Sequence, residues 1–109
     1  MERTLLEQAK DVERQVGSII ASQDIAELER PQQQLVDKLK RQLVDARLDI
    51  RDYEYAETRI EQLRLAEEAK TRLAKVRQVI AKISEFGIFG AADVAQLSAH
   101  IEHIISSIL

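Results

Sequence analysis

"RLDIRDYEYAE", residues 47–57, lies near the middle of a run from Gln32 to Phe86 that contains neither glycine nor proline. Whether a helix passes through this stretch or stops in it decides the fold. As one helix the run would be about 80 Å long at 1.5 Å per residue. That is too long for a compact domain of 109 residues. Two arrangements answer the problem. Without a strong breaker, the helix is expected to continue, its spare apolar seam covered by a second copy of the chain. Alternatively, Asp49 or Asp52 caps a new start and the run folds back on itself. The missing breaker favours the continuous helix.

The apolar spacing on either side supports helix throughout. Val36, Leu39, Leu43, Ala46, Ile50 and Tyr53 alternate in steps of three and four, and Leu73, Val76, Ile80 and Ile83 do so again. Between them Ile60, Leu63 and Ala66 step by three, which puts the two seams out of phase. Such a skip overwinds a coiled coil or marks a change of packing partner. Asp37–Arg41 and Glu68–Arg72 lie one turn apart with the acid first, the better orientation for a pair along one helix.

Upstream, Leu5, Ala9, Val12, Val16, Ile19 and Ile20 mark one face of a first helix, about residues 2–21. Gly17 weakens it by about 1 kcal/mol relative to alanine, which a close helix contact there would explain. A corner follows at 22–31. In it Asp24 with Glu27 resembles a capping box, and Pro31 suits the first turn of the next helix. Downstream, Ser84 and Glu85 end the periodic pattern, and Gly87 suits a left-handed cap. Phe86, Ile88 and Phe89, in a loop at 86–90, are placed to plug the end of a bundle. A last helix, about 91–108, carries Val94, Leu97, Ile101, Ile104, Ile105 and Ile108 in one stripe. A chain end this apolar, reaching Leu109, is expected to pack on the long helix or on a partner. The expectation is one all-α domain over residues 1–109: a helical hairpin or small bundle built on one long, coiled-coil-like central helix and completed by self-association.

Composition narrows the function. Apolar residues make up 45% but aromatics only 4%, so burial rests on aliphatic side chains. Charged residues make up 32% with a formal net charge of -3, which suits solvated helices and provides no global field toward nucleic acid or an anionic membrane. The chain has no cysteine, which removes thiolate chemistry and cysteine-held zinc. The charged N-terminal stretch "MERTLLEQAKDVERQ" lacks the apolar segment of a secretory signal, and no run approaches the roughly 18 apolar residues of a membrane span. A cytoplasmic location is expected, without membrane contact.

Specific chemistries fare poorly. "FGAADVAQLS", residues 89–98, resembles a helix–turn–helix only superficially. From Ile83 onward there is no Lys or Arg, and Glu85, Asp93 and Glu102 give the wrong sign for phosphates. The bias of Lys38, Lys40, Arg41, Arg47 and Arg51 is offset by Asp37, Asp45, Asp49 and Asp52, and no aromatics interleave as in single-strand binders. His100 and His103 sit three apart, but the Glu-x-x-His spacing of helical di-iron sites is missing. No phosphate loop or nucleophile motif occurs, so no cofactor or catalytic residue is assigned and the chain is not expected to be an enzyme. Tyr53 and Tyr55 mark a contact surface, because tyrosine is enriched at interfaces. The expected interface comprises Tyr53, Tyr55, Leu73, Val76, Ile80, Phe86, Phe89 and Ile105. The expected function is a non-catalytic helical protein–protein interaction module: an assembly factor, adaptor or chaperone-like protein. It would act as a homodimer and receive a helical partner. A nucleic-acid-binding regulator using the basic part of the long helix is the alternative, and a helical-bundle metalloprotein ranks below it.

Overall fold

The structure, a computed structural model, describes residues 4–22, 27–87 and 89–108. Among these residues the chain forms four helices and no strand: α1 (Leu5–Ala21), α2 (Arg30–Glu54), α3 (Arg59–Ser84) and α4 (Ala91–Ser107). The continuous central helix is therefore corrected to a hairpin. The break falls at residues 55–58, and neither Asp49 nor Asp52 makes it. Thr58 takes an extended conformation and its Oγ1 accepts from the Glu61 backbone N–H at 3.1 Å, capping α3. Tyr55 closes α2, its N–H bonding back to the Arg51 carbonyl at 3.1 Å. The turn needs no glycine because none of its residues adopts a left-handed backbone.

The other ends follow from the same chemistry. Thr4 Oγ1 caps α1 by accepting from the Glu7 N–H at 3.1 Å. Pro31 sits in the first turn of α2, and the Gln32 side chain accepts from the Glu29 backbone N–H at 3.2 Å. Beyond α3, Gly87 holds φ at +79°, the one left-handed residue described. The expected cap at Asp24, the loop residue Ile88 and the terminal Leu109 lie outside the described residues.

Packing runs round a ring: α1 on α2, α2 on α3, α3 on α4, and α4 back on α1. The inward faces are the aliphatic stripes. Val36, Leu39, Leu43, Ala46, Ile50 and Tyr53 from α2 meet Leu65, Ala66, Ala69, Leu73, Val76, Val79, Ile80 and Ile83 from α3 in one buried cluster. α1 adds Ala9, Val12, Val16 and Ile20, and α4 adds Leu97, Ile101 and Ile104. The seam that would have needed a second copy on a straight helix is thus covered within the chain. No close helix contact explains Gly17, since nothing lies within 4 Å of where its Cβ would stand.

Ion pairs tie neighbouring helices. Arg47 reaches Glu13 at 2.5 Å, Arg72 reaches Asp49 at 2.8 Å, and Arg77 pairs with Glu102. The expected Glu68–Arg72 pair gives way to this cross-helix contact, and Glu68 instead faces Arg64 at 3.7 Å. Arg77–Glu102 fixes α4 antiparallel to α3. α3 has 26 residues and α4 has 17. At 1.5 Å per residue they are about 39 and 26 Å long, so α4 is about two turns shorter than α3. The α2–α3 turn projects past it. The radius of gyration, 14.4 Å, exceeds the roughly 13 Å of a globular domain of this length accordingly.

Candidate interaction surface

The aliphatic core leaves a small set of large apolar side chains in water. Ile60 is 83% exposed, Tyr55 75%, Leu63 44%, Val44 38% and Phe86 37%. Three of the five fall between residues 55 and 63, on the turn and first two turns of α3. Their positions follow from helical phase. Leu65, Ala66, Ala69 and Leu73 define the inward face of α3. Ile60 stands on the opposite side of that wheel, and Leu63 on its flank. Of the out-of-phase three-step of Ile60, Leu63 and Ala66, only Ala66 is buried.

On α2, Val44, Leu48 and Tyr55 are spaced by four and seven, which aligns them on one face. That face is opposite Leu39, Leu43, Ala46 and Ile50. Leu48 is half-buried, yet it is not among the side chains packed on the core. Tyr55, Ile60 and Leu63 are exposed about the turn, whereas Val44 and Leu48 form a separate apolar pair on the outer face of α2. Around that pair stand Lys38, Lys40 and Arg41, all exposed, on the N-terminal half of α2, and Asp45 and Asp52 on the C-terminal half.

The residues expected at an interface divide. Tyr53, Leu73, Val76, Ile80 and Phe89 are buried in the chain's own core, and Ile105 is half-buried against it. None of these six offers a free surface in the single chain, because the hairpin brings α2 onto the seam. Tyr55 and Phe86 are exposed, at opposite ends of α3. The tyrosines show the principle: two residues apart, one turns inward and the other out. Val44, Leu48, Ile60 and Leu63 were missed. Their signal was an apolar spacing out of phase with the core stripe.

The electrostatics are those of paired surfaces. Arg72 donates to Asp49 and lies 3.5 Å from Asp45. The Asp49 hydrogen bond raises the Arg72 pKa above its ordinary value; burial opposes it, and the charges of Asp49, Asp45 and Glu68 add to the rise. Of the basic residues on α2, Arg47 is engaged by Glu13, and Arg51 pairs with Asp52 at 3.3 Å. Among the described residues no three His, Asp or Glu side chains converge as a metal cluster, and no helix is long and apolar enough to cross a membrane. A cleft between α1 and α4, lined by Gln15, Ser18, Ile19, Asp93, Gln96 and Leu97, measures about 190 Å³. Larger depressions lie elsewhere, about 480 Å³ beside Gln34, Asp37, Lys40 and Arg41 and about 370 Å³ beside Lys10, Glu13, Arg14 and Arg47. No family model matches this chain, and no curated protein or solved structure gives a significant match to it.

Proposed function

We propose that this chain is a non-catalytic helical interaction module, a single cytoplasmic domain that works as a homodimer in an assembly, adaptor or chaperone-like role. The observation that carries the reading is the exposure of Tyr55, Ile60 and Leu63 about the α2–α3 turn, with Val44 and Leu48 farther along α2, none of them part of the buried core. Ile60, on the far side of α3 from the core, contributes nothing to intramolecular packing. Tyr55, Ile60 and Leu63, exposed together about the hairpin turn, mark a contact surface. A rigid hairpin end of this kind suits the apolar face of a partner's amphipathic helix.

Absolute mass in solution tests the reading, measured by light scattering on a sizing column over a range of concentrations. A dimer that weakens on dilution is expected. A monomer at every concentration would remove self-association from the proposal.

A further inference from the structure

The formal net charge of -3 conceals a division of the molecule. Residues 30–44 of α2 and 69–84 of α3 together hold nine basic side chains and one acidic, Asp37. The rest of the chain holds seven basic and eighteen acidic. Because α2 and α3 run antiparallel, the two segments lie side by side at the end of the hairpin away from its turn. Three of the nine cations face carboxylates: Arg72 meets Asp49 and Asp45, Arg77 meets Glu102, and Lys70 lies 4.0 Å from Glu67. Arg30, Lys38, Lys40, Arg41, Lys75 and Lys82 are exposed and in no ion pair among the described residues. The offset expected from Asp45, Asp49 and Asp52 does not reach them, since Arg72 and Arg51 hold those carboxylates.

Register gathers four of these cations on one face. Arg72 bonds Asp49 and reaches Asp45 across the hairpin. Arg41 stands one turn before Asp45 and Lys38 seven residues before it, on the same flank of α2. Lys75 stands one turn beyond Arg72, and Lys82 seven residues farther, on the flank of α3 that meets α2. Lys38 and Arg41 thus face Lys75 and Lys82 across the helix pair, over about 10 Å along its axis. No large exposed apolar side chain stands among the four: Val44 lies on the outer face of α2, and Phe86 lies beyond the end of α3. A carboxylate partner would gain little there, because exposed ion pairs contribute little and no apolar centre anchors them. A phosphate backbone needs no such anchor, because each cation it meets releases a condensed counterion. We infer that this face binds the phosphate backbone of a nucleic-acid duplex without reading its sequence. About 10 Å of duplex presents about six phosphates, enough for all four cations. The acidic remainder of the molecule is repelled by the same phosphates, so the chain approaches the duplex by this face alone. The surface lies at the opposite end of the hairpin from Tyr55, Ile60 and Leu63, and is independent of the protein contact proposed there.

Fluorescence anisotropy with labelled DNA and RNA duplexes of arbitrary sequence, read over a range of salt concentrations, tests the inference. Four phosphate contacts give a slope of log affinity on log salt of about -3.6, so binding is expected to weaken about a hundredfold between about 50 and 200 mM salt. Lys75→Gln/Lys82→Gln is expected to halve that slope, with the melting temperature unchanged as the check on folding. Lys10→Gln/Arg59→Gln, which removes exposed cations outside the face, is expected to leave it as it is. Equal affinity for the two duplexes is expected of backbone contact alone, and a preference for one assigns the source of the phosphates. No binding to either duplex at the lowest salt overturns the inference. A slope untouched by Lys75→Gln/Lys82→Gln does the same, because the contact then lies elsewhere. Tighter binding of a labelled oligoglutamate peptide than of either duplex would also overturn it and make the face a protein contact. Self-association is read separately by light scattering, so neither result decides the other.

Discussion

Arg72 on α3 holds Asp49 on α2 through its Nε at 2.8 Å, and its NH1 lies 3.5 Å from Asp45 one turn earlier. One guanidinium thus spans two carboxylates on the facing helix, on the flank of the hairpin rather than in its core. The contact is about one-third exposed on the arginine side. Pairs of that kind contribute about 0.5–1 kcal/mol. Arg72→Ala and Asp49→Ala are expected to be non-additive by about that amount in a double-mutant cycle read from urea unfolding. High salt should shrink the coupling. Additive effects would show that the pair is only incidental.

Leu73 lies in the α3 stripe facing α2 and is buried. Leu73→Asp would put an unpaired charge into an aliphatic core. It is expected to abolish the cooperative unfolding transition seen by circular dichroism. Ile60→Asp, equally drastic chemically but on the exposed side of the same helix, should leave the melting temperature within a degree or two of wild type.

Phe89 is buried at the end of the bundle, whereas Phe86 three residues earlier is partly in water. Phe89→Ala should cost about 3 kcal/mol, and Phe86→Ala about half as much, in proportion to its smaller buried surface. Equal costs would mean that both rings pack.

Two backbone positions should respond with opposite sign. Gly17 lies within α1 with open space where a Cβ would project. Gly17→Ala is expected to stabilise the protein by about 0.5–1 kcal/mol. Gly87 also has open space, but its φ of +79° is strained for any other residue except asparagine or aspartate. Gly87→Ala should cost about 1 kcal/mol, read from the same unfolding curves.

Thr58→Ala removes the acceptor that starts α3 and should cost about 1 kcal/mol. Thr58→Ser keeps the hydroxyl and should restore most of it.

The helical class and most inward faces were legible because α2 and α3 keep strict three-and-four spacing over many turns. Val36 through Tyr53 and Leu73 through Ile83 all turn inward. The turn between them was not legible as such, because it uses no glycine or proline. Its signal was Thr58 followed three residues later by Glu61, the same form as Thr4 and Glu7 at the start of α1. So short a pattern recurs often in a charged chain, and tertiary packing decides which instance acts. The interface reading suffered for the same reason. Leu73, Val76 and Ile80 form an open seam on a straight helix and a closed one on a hairpin. Once the chain turns at residue 55, the apolar residues left over are those out of phase with the core: Val44, Leu48, Tyr55, Ile60 and Leu63.

The ring of helices also bears on how the molecule folds. Three of its four contacts join helices adjacent in the chain, and antiparallel neighbours linked by short turns can find each other quickly. The fourth joins α1 to α4 and closes a loop of most of the chain, the largest entropic cost of the set. Refolding should therefore build the α2–α3 hairpin early and seal the first helix against the last at the end. Substitutions at the α1–α4 seam, such as at Val16 or Leu97, would accordingly speed unfolding far more than they slow folding.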